Sequence, residues 1–337
     1  MKYLKTFARL VVIAASLCSA WPVAADELMI YSARKQQFIQ PLFDAYTRET
    51  GVEIDHQTGS IDSLLNRLKA EGDRTPADIL IAVDAGNLWQ AADQGLLQPI
   101  DSKLLRANIP ANLRDPKNRW FGLSLRARTI VYSTERVQPE QLSTYAALGE
   151  DHWKGRLLLR TSKKDYNQSL VAMMIAEYGL GGAEKIVRGW VKNLAQPPYD
   201  DDIQTMMAIL EGQGDVAIVN SYYYGRLLRK DPDLKLALFW PNQNEPGSGV
   251  HVNVSGAGLT KFAKHPEAAI RFIEWLSTSG AQSLFADANL EYPVNPQVKP
   301  SPEVAAWGAF KASPFNLTKA GELQEAAIRL MDRAGYQ

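Results

Sequence analysis

Three consecutive tyrosines, Tyr222, Tyr223 and Tyr224, follow the apolar run Val216 to Val219 and precede Gly225-Arg226. The strand-then-helix pattern puts these phenols at the carboxyl end of a strand. Neighbouring residues point to different faces, so one core cannot take all three. Read alone, the run is an amphipathic aromatic surface in which each ring packs and each hydroxyl finds a partner. A fourth phenol, Tyr166, stands in the polar loop TSKKDYNQS just before a helix, where a loop aromatic ordinarily covers the core. Beside it, Lys163, Lys164 and Asp165 form what is ordinarily a solvated turn.

Arginines accompany the phenols. Arg34 follows the first strand at the start of its helix, and Arg126 and Arg128 share one face of a long strand. A buried guanidinium needs an anion or a dense set of acceptors. Two readings are open: a site for an anionic ligand, or an interlobe salt bridge, with Asp84 as a candidate partner. The four histidines (His56, His152, His251, His265) show no metal spacing, and no nucleophile elbow, P-loop, dinucleotide fingerprint or zincin motif occurs. With no acid–base carboxylate pair either, an enzyme is disfavoured.

The elements that must hold these residues repeat a strand–helix rhythm. A strand over Leu28 to Tyr31 precedes a helix carrying Phe38, Leu42 and Tyr46 and ending at Thr50-Gly51. A strand follows over Val52 to His56, then a helix over Asp62 to Glu71, an apolar strand over Ile79 to Val83, and a helix over Leu88 to Gln94. The segment Gly122 to Ser133 alternates Leu123, Leu125, Ala127 with Ser124, Arg126, Arg128, which predicts a long strand with one wet face. The rhythm resumes at Leu157 to Arg160, Ser169 to Tyr178, Ala183 to Leu194, Thr205 to Glu211 and Val216 to Val219. After the loop 241–249 come a second crossing strand over Val250 to Leu259, a helix over Pro266 to Thr278 and a helical tail over Glu322 to Ala334. The expected fold is α/β and two-lobed, of the type II periplasmic binding-protein kind, with each lobe a sheet flanked by helices, two hinge strands and a ligand cleft between the lobes. The lobes divide as 26–125 plus about 255–300 and 126–254 plus about 301–337.

Composition narrows the function classes. The chain has 337 residues, with 37 Lys+Arg against 37 Asp+Glu, and no long basic run, so it carries no electrostatic footprint for nucleic acid. One cysteine excludes a disulfide scaffold and any cysteine-built metal site. Residues 1–25 carry basic Lys2, Lys5 and Arg9, a short apolar stretch from Leu10 to Leu17, and Val23 and Ala25 before the cut. They read as a secretory signal peptide cleaved after Ala25. Its removal leaves 34 basic against 37 acidic residues and no cysteine. No later stretch is long and apolar enough for membrane insertion. The product reads as a soluble exported protein in a bacterial periplasm.

In order along the chain, IYSARKQQFIQPLFDAYTRETG, SLRARTIVYS, RTSKKDYNQSLVAMM, VNSYYYGRLL and GVHVNVSGAGL resemble the periplasmic ferric-iron-binding proteins, the substrate-binding subunits of iron(III) ABC importers. The resemblance covers almost the whole mature chain. It implies a monomer that holds Fe(III) in the cleft and delivers it to a membrane permease driven by an ATPase. The family's paired tyrosine ligands fall on Tyr222 and Tyr223, and its preceding loop tyrosine on Tyr166. Where some members place a His or a His-Tyr pair, this chain has Lys35 and Gln36, which are not comparable ligands. The nearest match to the carboxylate that other members use is Asp84. The chain is therefore similar to members whose three tyrosinates are completed by a synergistic anion, typically carbonate. Arg34 with Arg126 or Arg128 would hold that anion, with Tyr31 near enough for a supporting place. The chemistry is consistent: ferric iron is hard, phenolate is a known protein ligand for it, and soft thiolate is absent. The alternative is a two-lobed binding protein for thiamine, a polyamine or a phosphonate, with the tyrosines stacking on the ligand and the arginines binding its anionic end. An exported hydrolase or lyase using Arg and Tyr lacks a visible nucleophile–base pair.

Overall fold

The computed structural model describes residues 27–244 and 247–337; the signal-peptide segment and Cys18 lie outside the described residues. The chain begins β1 (Glu27–Ser32), α1 (Gln36–Thr50), β2 (Glu53–Thr58), α2 (Ile61–Glu71), β3 (Ile79–Ala82) and α3 (Ala85–Asp93). Next come β4 (Leu97–Gln98), α4 (Lys103–Asn108), the long β5 (Phe121–Ser133), β6 (Leu157–Leu158), α5 (Asp165–Asn193), α6 (Asp202–Leu210), β7 (Val216–Asn220) and α7 (Ser221–Lys230). The rest is β8 (Leu236–Phe239), β9 (Val252–Thr260), α8 (Pro266–Leu276), α9 (Ser279–Asp287), β10 (Tyr292–Pro293), α10 (Pro302–Ala305), α11 (Thr318–Glu322) and α12 (Gln324–Ala334). Gly51 ends α1 in the left-handed conformation (φ 76°), as its position after the last apolar repeat predicts.

The strand order is β2-β1-β3-β9-β5-β7-β6, and β5 joins its two halves. Phe121 to Ala127 of β5 pair antiparallel with β9, whereas Arg128 to Tyr132 pair with β7. The halves have separate cores. One gathers residues such as Leu28, Ile79, Leu88 and Phe121 with Val254 and Phe272 from the later chain. Another gathers Ile130, Trp153, Leu170, Trp190 and Ile218 with Leu330 from the C-terminal helix. The four residues of β3 are apolar and all buried, as in a strand covered on both faces.

One expectation is corrected. All 13 residues of β5 are buried, so it has no wet face; Ser124, Arg126 and Arg128 instead turn into interior polar contacts. The two helices expected over Ser169 to Tyr178 and Ala183 to Leu194 are both present: they meet end to end within α5, broken at Gly179, which leaves the helical conformation with φ 69°.

Candidate metal centre

Tyr222 and Tyr223 occupy the first turn of α7, directly after β7, and Tyr166 the first turn of α5. All three phenols line one cavity of about 150 Å³ at the junction of the two halves. Tyr224 turns the other way into the core beside β7, where its hydroxyl donates to the Leu236 carbonyl at 3.5 Å. The Tyr222 and Tyr223 ring centroids are 4.3 Å apart. The Tyr222 hydroxyl accepts from Asn220 Nδ2 at 3.5 Å, and the Tyr166 and Tyr223 phenols lie close enough to act on it electrostatically. First turns of helices carry the positive end of the helix dipole, which favours an anion such as phenolate.

Burial first, then the neighbouring Tyr166 and Tyr223, push the Tyr222 phenol well above its ordinary value, with Arg126 opposing. Burial also raises Tyr166, again against Arg126, whose guanidinium lies 5.0 Å from the Tyr166 ring centroid. The unfilled cavity therefore holds its phenol protons tightly. A cation entering it must displace them.

Arg34 and Arg126 both line the cavity and share Ser255 Oγ, at 2.8 Å and 3.2 Å. Arg34 also pairs at 3.3 Å with Glu291, a buried carboxylate that accepts from Ser124 Oγ as well. Burial works to raise the Glu291 carboxyl, but Arg34 and Arg126 outweigh it and hold the group below the ordinary range. Nε and one terminal nitrogen of each arginine are buried with no hydrogen-bond partner among the described residues. Unpaired buried guanidinium donors suit an anion bound beside the phenols.

The other candidates lie elsewhere. Arg128 points into the second half, bonding Asp202 at 3.1 Å and Asn167 Oδ1 at 2.6 Å. It therefore supports the turn that carries Tyr166 rather than facing the cavity. Tyr31 is buried on the far side of β1, donating to Glu71 at 2.9 Å, and burial with that bond pushes its phenol up to about 12. Asp84 is not turned toward the phenols: it caps α3 through the Gly86 amide and accepts from Ser169 and Asn253. Burial, then Asp165, pushes its carboxyl up to about 6. Among the described residues no group of three or more His, Cys, Asp or Glu side chains could hold a metal ion.

Two cavity residues escape sequence reasoning. Glu291 sits in an unremarkable stretch 257 positions from Arg34. Arg226 lies over the rings of Tyr222 (5.1 Å) and Tyr223 (5.4 Å) and over Phe38 (5.0 Å) of α1. Its only sequence signal is its place one turn after the paired tyrosines.

The family described as bacterial extracellular solute-binding protein matches residues 41–312. Iron uptake protein A1 of Synechocystis is 40% identical over 94% of this chain and 89% of its own. The chain belongs to that family, in its ferric-iron-binding group. A solved Trichodesmium protein (IdiA, FutA) in complex with iron and citrate ligands is 42% identical, with a TM-score of 0.88 over 92% of this chain and all of its own. The apo ferric ion-binding protein A of Pasteurella haemolytica superposes with a TM-score of 0.84 at 36% identity, covering 93% of this chain and 98% of its own. This solute-binding protein is thus a two-lobed α/β carrier and not an enzyme.

Proposed function

We propose that the protein binds Fe(III) between its lobes and hands it to an ABC permease driven by an ATPase. Tyr166, Tyr222 and Tyr223 are the ligands, as phenolates. The observation that carries this reading is the convergence of three phenols, from two distant helix starts, on one cavity that arginines also line. Three phenolates balance a trivalent cation, and hard anionic oxygen is the donor type it prefers.

A bound anion completes the coordination, held by Arg126 and Arg34 through their unpaired donors. Carbonate is the anion the family resemblance implies; the Trichodesmium relative carries citrate with its iron. Arg128 acts one step back through Asn167, and Tyr31 has no part. The lobes divide as 26–125 with about 255–300 and 126–254 with about 301–337; the two separate cores support a division into two lobes, with Val250, Val252, Val254 and Leu317 packing in the first core. The mature protein works as a periplasmic monomer after loss of residues 1–25.

Purified protein given ferric citrate should show a visible phenolate-to-iron charge-transfer band. Tyr222→Phe and Tyr223→Phe should each bleach it while the far-ultraviolet circular dichroism stays unchanged. Full colour and affinity in both variants would reject the assignment. Stabilisation by thiamine, a polyamine or a phosphonate but not by ferric salts would point to an organic cargo instead.

A further inference from the structure

Where the two halves meet beside the cavity, the start of α3 faces the start of α5. Asp84 is fixed to the first half through the Gly86 amide at 2.8 Å and Asn253 Nδ2 of β9 at 2.7 Å. Its Oδ2 also accepts from Ser169 Oγ of α5 at 3.0 Å. One helical turn along α3, Asn87 Nδ2 donates to Asp165 Oδ2 of α5 at 3.0 Å. Helix α3 packs into one core through Ala85 and Leu88, and α5 into the other through Leu170 and Val171. These two hydrogen bonds therefore join bodies that have separate interiors.

Their landing points are the important feature. Asp165 immediately precedes Tyr166, and Ser169 lies almost one turn after it, so the bonds bracket the phenol on a single helical turn. From the second half that turn is held by Asn167, whose side chain donates to the Arg160 carbonyl at 2.8 Å and accepts from Arg128. Asn87, Ser169 and Asp84 are all buried. A rotation that separated the halves would break both bonds and carry Tyr166 away from Arg34 and Arg126.

We propose that Asn87 and Ser169 are positioning residues for the cargo: by pinning the first turn of α5 to the opposite lobe, they keep Tyr166 on the ion in the closed form and set how slowly the ion leaves. This rests on the ferric reading given above. Neither side chain lines the cavity, so both act through Tyr166. A hydrogen bond to a carboxylate contributes about 1.5–3 kcal/mol, and about 1.4 kcal/mol is tenfold in rate or affinity. Loss of either bond should therefore speed release on the order of tenfold to a hundredfold.

The test is release of Fe(III) from loaded protein into excess competing chelator, followed as decay of the charge-transfer band. Asn87→Ala and Ser169→Ala should each release faster, while the absorption maximum before chelator matches the wild type because the ligand set is intact. The exchange Asn87→Asp with Asp165→Asn restores the bond with its direction reversed and should bring release back toward the wild-type rate. A residue that served only the stability of its own helix would change the melting temperature without changing release. Wild-type release from both alanine variants would overturn the proposal, as would failure of the exchange to slow release relative to Asn87→Ala. Should Asn87→Ala not fold, Ser169→Ala decides alone, since it removes one hydroxyl from a helix interior that favours alanine. A wild-type protein that takes up no ferric ion would defeat the ferric reading itself, an outcome distinct from uptake with unaltered release.

Discussion

Tyr222 is buried beside two other phenols, and burial with those neighbours favours the protonated form against Arg126. Binding a trivalent cation there releases protons, so affinity must rise with pH and fall on acidification. With three phenols displaced, the apparent affinity changes by up to about three powers of ten per pH unit, and Tyr222→Phe should lower that slope by about one. Competitive titration at several pH values measures it; a slope near zero would mean that phenols do not bind the metal. Glu291 shows a different dependence. Among the described residues it is the only carboxylate hydrogen-bonded to Arg34, and Asn289 and Ser124 donate to it as well. Glu291→Gln leaves that buried guanidinium uncompensated, which should cost the empty protein about 3–5 kcal/mol. Added citrate or carbonate should restore part of the loss, and urea unfolding with and without the anion checks both effects. Three tyrosines in a row are conspicuous in the sequence, but alone they read as an aromatic surface; it is the resemblance that singles out Tyr222 and Tyr223 and adds the isolated Tyr166. Glu291 was not legible there, because a lone acid gains its meaning only from a partner that the fold brings to it.

At the scale of elements, α7 must hold its first turn steady for two adjacent tyrosines to face one cavity. It does so partly at Gly225, whose missing side chain leaves room for the Trp307 ring and for Leu290 at 2.8 Å from where a Cβ would stand. Gly225→Ala should push the helix off that surface, at about 1–3 kcal/mol of overpacking. Because Tyr222 packs on Leu290 in the same cluster, iron affinity should fall together with the melting temperature. An unchanged melting temperature in Gly225→Ala would show that the contact yields freely. Most elements were readable from periodicity and glycine stops: α1, α2 and β3 lie within a residue or two of their expected bounds. The start of α3 was read three residues late, because Asp84 caps it ahead of the apolar repeat that marks a helix in sequence. The wet face read into β5 failed for a related reason. Alternating polar residues usually mean solvent, but here Ser124, Arg126 and Arg128 meet interior acids and hydroxyls supplied by distant segments.

At the scale of the molecule, the second crossing between the halves runs through His251, a buried group whose protonation acid would force. The His251 amide donates to the Tyr145 hydroxyl at 3.1 Å, Tyr145 donates to the Arg128 carbonyl at 2.7 Å, and the Arg128 amide donates to the His251 carbonyl. The imidazole itself is buried, with neither ring nitrogen hydrogen-bonded, and it lines a small cavity with Glu177, Met173 and Ser248. Burial, then Arg128 and Arg126, push it from 6.5 down to about 3. An unfolded histidine takes up its proton near pH 6.5, whereas this one does so only near pH 3. Across that window the unfolded chain binds a proton that the folded chain refuses, so the contribution is intact above pH 6.5 and lost as pH falls toward 3. The loss has a slope of up to about 1.4 kcal/mol per pH unit. His251→Leu removes the titrating group and should flatten that part of the profile. Urea unfolding of the empty protein at several pH values across the window should show the wild type losing more stability on acidification than the variant. Equal losses would mean that the crossing opens enough to hydrate the charged ring, and the lobes would then be less tightly tied than the network of Tyr145, Arg128 and His251 implies.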